Sequence, residues 1–435
     1  MSGSEGADSL RDCVGEVHLI VITGRFAVQA SAEEEIPRRS YRLVVLNLPL
    51  SSNKGSRFLA HAESLFEFEC LLYDEATRVN QKSFGGGMLK TAEFQNFTCI
   101  PNGTWEFTDG VNVIIGENGL GKSHVLKAVY SMLRVQAEQV ESSKSGLEKA
   151  YASKLVAVFR PERLGRLVKR KRGRERCEIS LHFDNDKLST GIAFATNAQT
   201  QVELTQAADQ SLAQSPAFFP TRELVTLCPW FFPFYETYHL EFEETWRDTV
   251  ALLSNPTLKG LKEKQVQEIM KPLESAMGGK VVLDSQTGRL YLQIPGEGKV
   301  EMPLIAEGLR KIAMLARLVS TGVLLRQGFL FWDEPETNLN PKLIKTIAES
   351  IVRVARSGVQ VFVATHSLFL LRELHMLLNE NSYSEVGQRW FALAETGEGV
   401  RLEQSDSIDA IQTIVALDEE LSQSDRYMQQ INGDK

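Results

Sequence analysis

Residues 116–123 read GENGLGKS and match G-x-x-x-x-G-K-[ST] at each fixed position. The apolar run VNVII precedes them and a helical pattern, KSHVLKAVYSMLRV, follows. That is the strand–loop–helix setting such a loop needs to cradle phosphate. Glycines let the backbone curl until several N–H groups face one anion, and the helix N-terminus adds positive potential. The candidate nucleotide contacts are Gly116, Glu117, Asn118, Gly119, Gly121, Lys122 and Ser123. Lys122 would neutralise the β and γ phosphates of ATP, and Ser123 would take a coordination position on Mg²⁺. A chance Gly-rich turn is the bland alternative, and the flanking strand and helix argue against it.

A second acidic group sits in FLFWDEPETNLNP. Phe329 to Trp332 are apolar, and the strand they predict ends in Asp333 and Glu334. Carboxylates at the carboxyl end of a parallel strand lie at the edge where such sheets bind ligands. Asp333 is expected on the Mg²⁺ side and Glu334 as the general base that polarises the attacking water. A third strand, VQVFVAT, runs into His366, whose expected role is contact with the γ-phosphate and a part in catalysis. Alone, each pair or single residue would read as an ordinary polar turn. Their order along the chain is what gives them weight.

The elements that must hold these groups are legible in outline. The chain has 435 residues, 43% hydrophobic and 24% charged, the balance of a globular protein. Its apolar runs, such as GFLFW, are too short to span a bilayer, so no membrane partner is expected. The polar, acidic start lacks the pattern of a signal peptide. Cys13, Cys70, Cys99, Cys177 and Cys228 show no CxxC pair, which predicts a reduced, cytoplasmic setting and no zinc site. Residues 1–87 read as a β-rich unit ending at SFGGGM, serving as a docking module or an extension of the main sheet. Residues 88–435 read as one α/β domain with an inserted middle region at about 150–300. LKTAEFQNFTCI, GTWEFTDG, VNVIIG, KLVAVF and CEISLHF read as strands, GKVVLDSQTGRLYLQI as a hairpin, and 302–319 as an amphipathic helix presenting Leu309, Ile312, Ala313, Ala316 and Val319.

GENGLGKS, FWDEPETNLNP and ATHS in this order resemble the ATP-binding-cassette ATPase superfamily, and within it the branch of SMC, RecF and OLD proteins. The resemblance covers residues 88–435. It implies an ABC-ATPase-like P-loop NTPase head, α/β, with a mixed or parallel sheet flanked by helices, a β-rich N-terminal unit and a helical insertion. The tail IVALDEELSQSDRYM and the stretch FFPTREL are similar to compact bacterial ATPases associated with phage defence. In such ATPases two heads sandwich ATP, and a signature turn of each caps the nucleotide of the other. Here Ala306, Glu307, Gly308, Arg310 and Lys311 match that turn, with no hydroxyl where the family has Ser. Arg310 or Lys311 would supply a positive contact, and Glu307 must turn away or pair with a base. Asn338 to Asn340 stand in the loop that communicates across the dimer. The family's glutamine-bearing loop is expected near KLVAVFRPERLG, which has no Gln at its end.

Two further stretches carry a choice of readings. Between Arg160 and Arg176 lie nine Arg or Lys and two Glu. Arg166, Lys169, Arg170, Lys171, Arg172 and Arg174 would bind nucleic-acid phosphates or an acidic partner, or form a solvated hairpin tip. CPWFFPFYETYHLEFEE is strongly aromatic and reads as core or dimer packing rather than a ligand site, and His239 within it as no metal ligand. Three functions fit. One is an ATPase switch, a homodimer or larger homo-oligomer, controlling a nuclease or toxin effector. The others are a RecF-like DNA-repair or DNA-loading ATPase and a transporter ATPase subunit, the last disfavoured by the altered signature turn and the N-terminal unit.

Overall fold

The computed structural model describes residues 18–22, 43–47, 86–138, 143–170, 173–258, 263–324, 328–397 and 399–433. The chain divides into two units, Met1–Gln81 and Lys82–Lys435. In the first, β1 (His18–Ile22) pairs antiparallel with β2 (Leu43–Asn47), Ile20 opposite Val45. The rest of the β-rich reading of residues 1–85 lies outside the described residues.

The second unit opens with β3 (Leu89–Gln95), β4 (Gly103–Glu106), β5 (Val111–Gly116) and helix α1 (Lys122–Ala137). Helix α2 (Lys144–Phe159) follows, where a strand had been expected at KLVAVF. Ser143 caps it by accepting from the Gly146 N–H, and Tyr151, Leu155 and Val158 fall one helical turn apart on the buried side. The short apolar run was therefore the end of a 16-residue helix, whose buried side is marked by packed side chains and not by any pattern in the sequence of the run. Next come β6 (Arg176–Phe183), β7 (Thr190–Ala195), β8 (Glu203–Gln206), β9 (Ala217–Phe219) and the helices α3 (Phe231–Tyr238), α4 (Glu244–Leu253) and α5 (Glu263–Met277). The expected hairpin is β10 (Lys280–Leu283) and β11 (Leu290–Ile294), and β12 (Gly298–Glu301) extends it. Helix α6 (Glu307–Ser320) leads to β13 (Phe329–Asp333), α7 (Pro341–Arg356), β14 (Gln360–Thr365) and α8 (Leu368–Leu378). The chain closes with β15 (Gln388–Thr396), β16 (Gly399–Ser405) and α9 (Val415–Gly433).

Six strands form the central sheet in the order β16-β15-β5-β14-β13-β9. All neighbours run parallel except β15 and β16. Strands β5, β13 and β14 are apolar almost throughout because both sheet faces are covered. The two-residue period divides their side chains between two cores. Val113, Leu330, Trp332, Val361 and Val363 join the core of α6, α7 and α8, whereas Ile114, Phe329, Phe331, Phe362 and Ala364 join that of α1 and α2. The second core is closed by an antiparallel sheet, β4-β3-β6-β7-β8. Thus the strands read as one series before the phosphate loop belong to two sheets. Gln360, fully buried at the start of β14, joins them: its side chain accepts from the Leu89 N–H and donates to the Leu89 and Thr108 carbonyls. Among the described residues no helix is long and apolar enough to cross a membrane.

Candidate functional site

Strand β5 delivers the loop at residues 116–121 to the carboxyl edge of the central sheet. Gly119 and Gly121 take φ of +86° and +99°, a region that an L side chain rarely adopts, and Gly121 caps α1 in this conformation. Lys122 is buried, and its Nζ donates to the carbonyls of Gly116 at 2.7 Å and Glu117 at 2.8 Å. Burial pushes its pKa down, and Glu334, Asp333, Glu336 and Glu117 oppose that shift.

Strand β14 lies between β5 and β13, so the phosphate loop and the acidic pair are separated by the strand that carries His366. The sequence order gave no hint of this interleaving. Ser123 spans the gap by donating from Oγ to Asp333 Oδ1 at 2.9 Å. Burial raises the Asp333 pKa to about 6, with the Ser123 hydrogen bond and Lys127 acting the other way. A hydroxyl and a carboxylate converging beside a phosphate loop are the oxygen donors Mg²⁺ takes when phosphates and waters complete its octahedron. The residues therefore fit the nucleotide and ion that the sequence implies: Lys122 and the loop for phosphates, Ser123 and Asp333 for Mg²⁺.

Glu334 follows in the left-handed region, at φ +48°, and its N–H donates to the Ala364 carbonyl at 2.8 Å. For a non-glycine residue this conformation costs about 1–2 kcal/mol, and it turns the side chain out of the strand. His366 Nδ1 lies 3.2 Å from Glu334 Oε1 and 3.6 Å from Glu336 Oε1. Thr337 Oγ1 donates to Glu334 Oε2 at 3.3 Å. The arrangement can hold a carboxylate in one orientation beside the phosphate loop, as water activation requires.

Glu336 is the residue that sequence reasoning passed over. It is buried and accepts from Thr365 Oγ1 at 2.7 Å and from the His366 N–H at 3.2 Å. It thereby ties the loop after β13 to the end of β14 and fixes the backbone of His366. The available signal was the third acid of DEPE, two residues past the pair.

The turn at 306–311 is built differently from expectation. Ala306 is exposed and caps α6 without a side-chain bond. Glu307 accepts from Asn338 Nδ2 at 2.9 Å, so it is engaged by the loop 337–340. Arg310 pairs with Glu223 of its own chain at 3.0 Å. Lys311 is fully buried and donates to the Glu334 carbonyl at 3.3 Å, its pKa lowered to about 8 by burial. The positive contact expected from Lys311 is thus turned inward, toward its own acidic loop. Gly308 is also buried: a Cβ there would stand 3.0 Å from Leu339 Cδ2 and 3.1 Å from the Asn338 carbonyl. Its absent side chain lets loop 337–340 lie against the first turn of α6.

The basic run is split by its partners. Arg166 pairs with Glu162 at 3.0 Å and Arg176 with Glu203 at 2.7 Å. Lys169, Arg170 and Arg174 lie in the loop before β6, with Arg170 and Arg174 exposed, and Lys171 and Arg172 lie outside the described residues.

A family described as "AAA domain, putative AbiEii toxin, Type IV TA system" matches residues 111–372, more than half of the chain. Among curated proteins, "Old nuclease" of Escherichia phage P2 is 44% identical over 46 residues, 11% of this chain and 8% of that relative's length. Among solved structures, an SMC head bound to the C-terminal winged-helix domain of ScpA is 14% identical with a TM-score of 0.48, covering 75% of this chain and 99% of that one. The Pyrococcus furiosus Smc head with an extended coiled coil, bound to the C-terminal domain of ScpA, is 12% identical with a TM-score of 0.44, covering 80% and 100%.

Proposed function

The chain belongs to this AAA-domain family, and on that premise we propose that it is an ATP-binding and ATP-hydrolysing switch. Its heads pair around bound ATP and thereby control a partner effector, a nuclease or toxin, in bacterial defence against phage. The observation that carries the ATPase reading is the meeting of Ser123 with Asp333 at 2.9 Å beside Glu334 and His366 at 3.2 Å. Lys122 and the loop N–H groups bind and neutralise the phosphates. Ser123 and Asp333 would hold Mg²⁺, which would supply charge stabilisation to the transferring phosphoryl group. Glu334 takes the proton of the attacking water, and His366 orients Glu334. The effector and defence parts draw support from the toxin named in the family description and from the local likeness to a phage nuclease.

Glu334→Gln is the test. The variant should bind ATP, hydrolyse it about a hundredfold more slowly, and accumulate as a nucleotide-bridged dimer in sedimentation velocity. Wild-type turnover by a chain that stays monomeric at saturating ATP would sink the reading. Purification from the native operon with and without ATP identifies the effector.

A second reading, a RecF-like DNA ATPase, draws on Arg170 and Arg174, exposed in the loop before β6. Hydrolysis strongly stimulated by DNA ends, with binding lost as salt rises, would favour it over the effector switch.

A further inference from the structure

The aromatic stretch at 230–242 is half in the core and half in solvent. Phe231 is buried, with ring centroids 5.5 Å from Phe242, 5.9 Å from Tyr235 and 6.2 Å from Trp246. On the outer side, Trp230, Phe234, Tyr238 and Phe242 are 46–66% exposed. Trp230 and Phe234 stack edge to face at 6.0 Å, and Phe234 and Tyr238 meet at 5.4 Å, giving one continuous shelf along α3. Its extent is that of the largest apolar patch on a typical single chain, which is often a functional surface.

Its place in the fold says which partner. At one end Trp230 and Phe242 line a groove together with Glu307, Arg310 and Asn338, the turn at the head of α6. Beside Phe242, at this same end, Glu243 pairs with Lys127 at 2.6 Å, one helical turn beyond Ser123. One end of the shelf, at Trp230 and Phe242, therefore lies beside the α6 turn, with the neighbouring Glu243 tied to the phosphate-loop helix. Phe231 and Phe242 pack on Trp246 of α4, and α4 is tied in turn to α1 and α2. Asp248 of α4, fully buried, accepts from Tyr130 of α1 and Lys154 of α2, each at 2.6 Å. Burial alone would raise the Asp248 pKa, and Lys154 and Arg134 bring it below the ordinary value instead.

We propose that this aromatic shelf is the docking surface for a second copy of this chain, seated when two heads close around ATP. The inference rests on the paired-head reading above and names the surface that makes the pair. The α6 turn offers few groups of its own, because Glu307, Arg310 and Lys311 are engaged within the chain. Four half-exposed aromatic side chains supply roughly 400 Å² per copy. That is about half of the ~800 Å² per partner in an interface of ordinary size. A second copy bringing its phosphate loop to this turn approaches the Trp230 and Phe242 end of the shelf, and Trp, Tyr and Phe are the residues that carry such contacts.

The test uses the full chain in the Glu334→Gln background with Mg²⁺ and ATP. Sedimentation velocity should show Trp230→Ala/Phe234→Ala pairing at least about tenfold more weakly than Glu334→Gln alone. Phe234→Ser/Tyr238→Ser, confined to two exposed positions, should act in the same direction. Binding of a fluorescent ATP analogue, at protein concentrations too low for pairing, and thermal unfolding should match the parent. Pairing of equal strength in both double variants overturns the shelf and leaves the paired-head reading standing. A Glu334→Gln chain that never pairs overturns both.

Discussion

Ser123 and Asp333 touch through a 2.9 Å hydrogen bond although 210 positions separate them. The contact closes only when β5, β14 and β13 lie side by side, so the site exists as a product of the whole central sheet. The side chains around it differ in what they contact, and each contact predicts a separable outcome.

Lys122 has its amine inside the loop, on two loop carbonyls. Lys122→Ala should lower ATP affinity by about a hundredfold or more, because several charge-assisted contacts to phosphate are lost together. Isothermal titration measures this. Affinity within a few-fold of wild type would refute the assignment of the loop.

His366 has a side chain 48% exposed and meets Glu334 at 3.2 Å. His366→Ala should leave stability and ATP binding near wild type and reduce turnover by about a hundredfold, the effect of a misaligned reacting group. A parallel loss of melting temperature would instead mark His366 as structural.

Gly308 lies under Leu339 and the Asn338 carbonyl. In Gly308→Ala the new methyl must push loop 337–340 away from α6 by a few tenths of an ångström, which breaks the fit of Glu307 to Asn338. The fold should lose no more than about 1–2 kcal/mol, whereas ATP-driven pairing should fall. Denaturant unfolding and sedimentation read the two quantities separately. Unfolding without any specific loss of pairing would make Gly308 a packing residue only.

Lys311 gives a pH signature. Its pKa is lowered to about 8 in the folded chain, by burial first, with Glu336 and Glu307 opposing the shift. An unfolded lysine titrates near 10.4. Between these values the unfolded state binds the extra proton, so this group's contribution to stability rises with pH through that window. The cost of burying the charge is full below pH 8 and relieved above about 10.4. Lys311→Met should therefore be the more stable chain at pH 7, by up to about 3 kcal/mol. The advantage over wild type should shrink between pH 8 and 10. An advantage constant across that range would contradict the buried-charge account.

Sequence and structure agree most closely where the chemistry is local. The hairpin at 280–294 and the helix at 307–320 were legible because alternation and 3.6 periodicity persist over enough residues. The helix at 144–159 was misread because its last six residues, taken alone, have a strand's composition. Strand β9 was passed over for its length: three residues, Ala217 to Phe219, lie between Pro216 and Pro220, yet they close the edge of the central sheet beside β13.

By itself the sequence determined the glycine-rich turn between β5 and α1, the acidic pair ending β13 and the histidine after β14, because each depends on consecutive residues with one required backbone geometry. Gly119 and Gly121 at positive φ are the local cause. The tertiary structure alone decided which charges face outward. Lys311 and Arg310 are neighbours on one helix turn, and packing gives the first to the Glu334 carbonyl and the second to Glu223. It also decided that Glu336 anchors His366, and that Trp230 and Phe242 lie beside the α6 turn with their rings half exposed. Burial and pairing arise between segments far apart in the chain, and no pattern within either segment specifies them.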